Sequence, residues 1–290
     1  MVTRRGLLRT FGTMLLASVA TGAYAVAYEP VFRLRTATYR ITPPNWPEGL
    51  RLRLVLLADL HACEPWMPAW RIRSICGEAN RLGGDMILLL GDFVSGMTLS
   101  LGTVAPEIWA GELAKLSAPL GVHAIMGNHD WGDDPEAMAK MEGPTISHRA
   151  LASVGILVYD NRAERFEKEG QAFWLAGLAD QLEPRRGQDD LPGTLAQVTD
   201  DAPVILMAHE PDIFPRVPPR IAVTLSGHTH GGQIRLFDYS PMVPSQFGNR
   251  YAYGHVVEDA RNLVVSGGLG CSIMPVRLGS PPEITVVDLG

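Results

Sequence analysis

Short apolar runs punctuate the chain at 52–58, 86–90, 122–126, 204–208 and 221–225, each bounded by Gly, Asp, Pro or other polar residues. Unbroken runs of this length predict strands buried on both faces. Between the first three lie 70–81 and 106–116. There Ile72, Ile75, Ala79 and Leu82, then Ile108, Trp109, Leu113 and Leu116, recur at helical spacing. Strand, helix, strand, helix, strand predicts a parallel α/β sheet. Further apolar runs at 156–159, 173–178, 263–266 and 284–289 have shorter connections and predict a second sheet packed on the first. The stretch 39–49 carries Pro43, Pro44, Pro47 and Gly49 and reads as a connecting segment. The stretch 180–201 reads as a loop with one short helix, and 239–255, with Phe247, Tyr251 and Tyr253, as a rim over a site.

The amino end breaks this pattern. Arg4, Arg5 and Arg9 form a basic head, and 11–28 contains no charged residue. Such a segment is a signal or membrane anchor before it is part of a fold, and the Arg4-Arg5 pair resembles a twin-arginine export signal. Ala23-Tyr24-Ala25 suits a small-x-small cleavage site. The run is about as long as the shortest spanning helices, yet Gly12, Thr13, Ser18, Thr21 and Gly22 dilute it. A cleaved signal and a retained anchor with membrane contact through 11–28 therefore both stand. The expected division is 1–28 signal or anchor, 29–49 linker or first strand, and 50–290 the functional domain.

With 290 residues and 46% hydrophobic composition, the chain can bury a large core without disulfides. Its 25 Lys and Arg against 31 Asp and Glu give a net charge of -6, and loss of residues 1–25, with Arg4, Arg5 and Arg9, makes it -9. An acidic globule is a poor cradle for phosphate backbones, so no nucleic-acid duplex is expected as partner. Cys63, Cys76 and Cys271 cannot form a closed disulfide framework and lack metal-finger spacing. They read as small buried thiols, Cys63 lying two positions past a site histidine.

The chemistry sits where the apolar runs end. Asp59 and His61 follow the first run, Asp92 the second, Asn128 and His129 the third, His209 the fourth, and His228 and His230 the fifth. In an open α/β sheet the crevice beyond the carboxyl ends of the strands would gather these segments. One histidine after an apolar run is usually structural. Five of the chain's eight in such slots point to a metal centre. Carboxylate, imidazole and amide oxygen form a mixed hard and borderline set that suits Mn, Fe, Zn or a similar divalent ion.

The blocks Asp59-Leu60-His61, Gly91-Asp92, Gly127-Asn128-His129-Asp130, His209 and Gly227-His228-Thr229-His230 resemble the five-block signature of the calcineurin-like metallophosphoesterases. The resemblance covers roughly 50–290. Gly231-Gly232-Gln233 and Pro281-Pro282-Glu283-Ile284 look like the bacterial exported or membrane-associated branch of YkuE and YaeI type. It implies an α/β fold, a two-sheet αββα sandwich of four layers, and an enzyme, a metal-dependent hydrolase of phosphate monoesters or diesters. It also implies two divalent metal ions, with Asp59, His61 and His230 on one, Asn128, His209 and His228 on the other, and Asp92 bridging them. A bridging hydroxide would attack phosphorus in line, and His129 would assist the leaving group.

In related protein phosphatases an acid follows the Gly-Asp block and orients that histidine. Here Ser95 stands in its place, leaving Asp130 as the substitute in view. Gly91, Gly127 and Gly227 read as close turns beside the metals or as ordinary strand-end turns. Arg250 and Arg277 read as solvated charges in preference to phosphate ligands, and His123, His148 and His255 as structural or surface residues. The resemblance places the protein in the periplasm or cell envelope, free or membrane-anchored, with a lipid-linked, envelope or nucleotide phosphate as substrate. A UDP-diacylglucosamine-type diphosphatase is one alternative, and a metal-binding scaffold or adaptor without catalysis another.

Overall fold

The computed structural model describes residues 3–44, 46–97, 99–184 and 187–290. Among them are two six-stranded sheets. Their strands are β1 (Arg35–Ile41), β2 (Leu52–Leu57), β3 (Met86–Leu90), β4 (Val122–Ile125), β5 (Leu157–Val158), β6 (Arg162–Lys168), β7 (Gln171–Gly177), β8 (Val204–Met207), β9 (Ile221–Ser226), β10 (Gly254–Glu258), β11 (Arg261–Val265) and β12 (Glu283–Leu289). The first sheet runs β1-β12-β2-β3-β4-β5 and the second β10-β11-β9-β8-β7-β6. β2 to β5 are mutually parallel, as are β7, β8, β9 and β11. β12 runs antiparallel to β2.

Period-2 alternation in apolar strands builds the layers. Leu54, Leu56, Leu88 and Leu90 face the other sheet, meeting Phe173, Leu175, Ile205, Met207, Val223 and Leu225 in the central core. Val55, Leu57, Ile87 and Leu89 face outward, under Ile72, Ile75 and Ala79 of helix Ala69–Arg81 and Trp109 and Leu113 of helix Pro106–Leu113. On the far side Ala176, Val204, Leu206 and Val265 pack against Ile213, Phe214 and Val217. The result is the four-layer α/β sandwich expected.

Strands β6 and β10 were not expected from the sequence, and β1 was expected only as an alternative to a linker within 29–49. Residues 39–41, expected to be connecting segment, complete β1, which lies parallel to β12 at the sheet edge. Its Arg35, Thr36, Thr38 and Arg40 and the charged residues of β6 follow from position: an edge strand packs one face weakly and is protected from further pairing by charge.

Before β1 a continuous helix spans Arg4–Phe32, 29 residues, long and apolar enough to cross a membrane by length and composition. It fits a signal or a membrane anchor.

Candidate metal centre

The carboxyl ends of β2, β3, β4, β8 and β9 point to one crevice, and the residues just beyond them meet there. His61 Nε2 lies 3.1 Å from His230 Nε2 and 3.5 Å from Asp92 Oδ2. His230 Nε2 is 3.6 Å from Asp59 Oδ1. On the other side of Asp92, its Oδ2 is 3.2 Å from His209 Nε2, and His228 Nδ1 is 2.9 Å from Asn128 Oδ1. Ligand atoms of Asp59, His61 and His230 lie within 4.8 Å of one another, as do those of Asp92, His209 and His228. All seven residues singled out in the sequence are thus brought together, with Asp92 in the middle.

The backbone is bent to achieve this. Asp59, His61, Asp92, His228 and His230 have φ of 55°, 46°, 59°, 69° and 52°, the left-handed region that side chains normally avoid. The turns are laced together: Asp59 N donates to Gly91 O at 3.1 Å, His61 N to Asp92 O at 2.9 Å, and His228 N to Asp59 Oδ1 at 2.8 Å. Gly91, at φ 90°, is a close approach as well as a turn, for a Cβ there would lie 2.6 Å from Gly127 N and 2.8 Å from His209 Nδ1.

The donor set fits a cation. Carbonyl oxygens can only accept, so Val94 O, 3.0 Å from His61 Nδ1, and Leu90 O, 2.6 Å from His209 Nδ1, hold the ring protons there. In each neutral ring Nε2 is then a lone pair facing the crevice. A lone pair on His209 cannot face the Asp92 carboxylate at 3.2 Å without a proton or a metal ion between them. Buried Asp59 Oδ2 and His209 Nε2 have no hydrogen-bond partner among the described residues, and such orphaned atoms are what a bound ion would satisfy.

The charges respond accordingly. Burial, opposed by His209 and reinforced by Asp92, pushes Asp59 up to about 7. Burial holds His61 down to about 4 and His228 down to about 3. His209, despite its burial, is raised by Asp92. Burial alone would lower His129 too, but the charges of Asp92 and Asp133 and the Asp133 hydrogen bond raise it to about 9.

The environment of His129 corrects one expectation. Asp130 does not orient it: that carboxylate is buried and accepts from Asp92 N at 2.8 Å, Phe93 N at 3.0 Å, Gly127 N at 3.0 Å and Ser147 Oγ at 2.7 Å, holding two ligand turns together. The orienting acid is Asp133, one helical turn on, with Oδ2 2.8 Å from His129 Nδ1. Ser272 Oγ lies 3.1 Å from His129 Nε2. The i, i+4 spacing of His129 and Asp133 was a readable signal once a helix (Asn128–Gly132) follows Gly127. Ser272 carried no signal.

Arg277 is a second correction. Expected at the surface, it is fully buried and donates to Gly267 O at 2.9 Å, Ser280 O at 2.8 Å and Gly270 O at 2.8 Å, with Nη2 3.2 Å from His230 Nδ1. Its guanidinium organises the loop behind His230. Arg277→Met removes the donor from three buried carbonyls and is expected to lower stability by about 3 kcal/mol, read as a shift in the urea midpoint. Arg250, by contrast, pairs with Glu258 at the surface, and Cys63 packs with Met97 and Cys271.

The family profile described as calcineurin-like phosphoesterase matches residues 52–232. YkuE of Bacillus subtilis, named an uncharacterized metallophosphoesterase, is 28% identical over 96% of this chain and 94% of its own. YaeI of Escherichia coli, named a phosphodiesterase, is 30% identical over 85% of this chain and 89% of its own. LpxG of Chlamydia trachomatis, named a UDP-2,3-diacylglucosamine pyrophosphatase, is 26% identical over 97% of both.

Proposed function

The chain belongs to the calcineurin-like phosphoesterase family and is a metal-dependent phosphoesterase, and from that premise we propose that it hydrolyses phosphate esters at a two-cation centre by in-line displacement at phosphorus. Asp59, His61 and His230 would hold one ion, Asn128, His209 and His228 the other, with Asp92 shared. The observation that carries this reading is the convergence of two ligand groups on one carboxylate, with Asp59 Oδ2 and His209 Nε2 left without partners. Two bound divalent ions supply positive charge for the phosphate oxygens and lower the pKa of the attacking water.

The protein's own part is positional. Asp130 and the left-handed turns fix the ligands before substrate arrives. Asp133 Oδ2 accepts the hydrogen bond of His129 Nδ1–H, aiming Nε2 at the site, and the charge of Asp92 favours the protonated ring. His129 then donates from Nε2 to the departing oxygen. We take 50–290 as the catalytic unit and Arg4-Arg5 as a twin-arginine export signal delivering it to the envelope. The name of LpxG favours a lipid-linked diphosphate among possible substrates, with a UDP-diacylglucosamine-type reaction as its specific form.

The test is to purify the chain, measure its metal content, and assay p-nitrophenyl phosphate and bis(p-nitrophenyl) phosphate with each divalent ion. Metal uptake without turnover of either ester would leave a binding scaffold instead. Acid should weaken metal uptake. Without metal, Asp59 keeps its proton up to about pH 7 and His209 is protonated above its ordinary range, so binding must expel both protons. Affinity for Mn is expected to fall by up to about tenfold per pH unit for each proton released as pH drops below neutrality, followed by calorimetric titration at several pH values.

A further inference from the structure

The helix Arg4–Phe32 and the metal centre are joined. Its first part, Arg4–Ala23, buries no side chain in the protein, and its 20 residues rise about 30 Å, the thickness of a bilayer's hydrocarbon core, with Arg4, Arg5 and Arg9 at the far end, where long basic side chains reach back to the headgroups. Immediately after it, Tyr24, Tyr28 and Phe32 line one side with ring centroids 5.5 and 5.9 Å apart, and Arg33 Nη1 donates to Tyr24 Oη at 2.8 Å. Aromatic rings beside an arginine mark the interfacial level at which a membrane helix leaves the hydrocarbon.

At that same level the helix is fastened to the domain. Ala25, Glu29 and Pro30 are buried; Arg277 N donates to Ala25 O at 2.9 Å and Trp66 Nε1 to Val26 O at 2.8 Å. Both partners belong to loops of the metal centre. Arg277 backs His230, and Ser272, five positions earlier, touches His129. Between them Ile273 is 70% and Met274 50% exposed. Beside Trp66, Leu101 N donates to Glu64 O at 2.9 Å, and here Leu101 is 83% and Leu99 54% exposed. Single exposed apolar residues need no explanation. These four border one site, on loops tied directly to the aromatic belt.

We propose that this rim docks on the bilayer. The amino-terminal helix is kept as an anchor, Leu99, Leu101, Ile273 and Met274 enter the headgroup region, and the metal centre opens at the membrane surface onto phosphate esters whose apolar part stays in the lipid. Only that last clause rests on the phosphoesterase reading. Cleavage after Ala25 would break the helix inside its fastening to Arg277 and Trp66, so the anchor is part of the folded domain.

The test uses the full chain in vesicles of phosphatidylethanolamine and phosphatidylglycerol carrying lipids brominated high on the acyl chain. Because Cys63, Cys76 and Cys271 are buried, a fluorophore can be placed selectively in Leu101→Cys, Ile273→Cys and Glu167→Cys. The last lies beside Lys168, which reaches Arg51 at the opposite end of the sheets. Loss of emission at 101 and 273 with none at 167 is expected. Leu101→Asp should lower turnover of hexadecyl p-nitrophenyl phosphate in the vesicles about tenfold while sparing soluble bis(p-nitrophenyl) phosphate. Unquenched labels at 101 and 273, or a mature protein starting at Val26, would overturn the docking. An equal fall on both esters would overturn the substrate clause. Quenching in a protein that hydrolyses neither ester would leave docking intact and refute the phosphoesterase reading.

Discussion

Asp92→Asn is expected to lower kcat/KM on bis(p-nitrophenyl) phosphate by about 10³-fold or more. Asp92 Oδ2 is the atom on which both halves of the site converge, 3.2 Å from His209 Nε2 and 3.5 Å from His61 Nε2. Its Oδ1 also accepts from His129 N at 2.8 Å, so the side chain orients the helix that carries His129. An amide of the same shape keeps one acceptor but loses the negative charge, and one orientation turns an NH2 toward imidazole lone pairs. Metal content should fall to one ion per chain or fewer, measured by elemental analysis beside the kinetics. Near-normal activity with two ions bound would mean that Asp92 is not shared between them.

His129→Ala is expected to cost roughly 10² or more in kcat while metal content persists. The deficit should grow with the basicity of the leaving alcohol, because p-nitrophenolate departs with little need of a proton and phenolate does not. Phenyl phosphate is therefore the more sensitive substrate. Asp133→Asn should reproduce the effect in weaker form, about tenfold, since the ring keeps its nitrogen but loses the negative charge that orients it and holds its proton. His129 also lies within ligand reach of His61 and Asp92. If His129→Ala strips the ions, it is a ligand and its proposed proton-donating role fails.

The convergence of the candidate ligands was legible because metal chemistry restricts residue type and the sheet restricts place. Asp59, His61, Asp92, Asn128, His209, His228 and His230 all follow apolar runs, and parallel strands bring such ends together. The strands themselves were legible where both faces are buried, as in Met86–Leu90. They were illegible at the edges of the second sheet, where Arg162–Lys168 and Gly254–Glu258 answer to solvent, and only half legible at Arg35–Ile41. Supporting residues were harder still. Arg277 looks like any surface charge until Gly267, Gly270 and Ser280 converge on it from a folded loop. Asp130, adjacent to His129 in sequence, turns away from it, whereas Asp133 comes back on the next helical turn. Sequence adjacency misled where helical geometry decided.

The left-handed conformation of Asp59, His61, Asp92, His228 and His230 has an evolutionary corollary. Each position holds a residue its backbone disfavours by about 1 kcal/mol, and glycine would relieve the strain. A library screened only for heat tolerance in the presence of chelator should therefore enrich glycine or asparagine at the codons of His61, His228 and His230, yielding sturdier and inert descendants, while Asp59 and Asp92 persist because they accept from His228 N and His129 N. Histidine retained in such a screen would mean that its strain is offset by contacts other than metal.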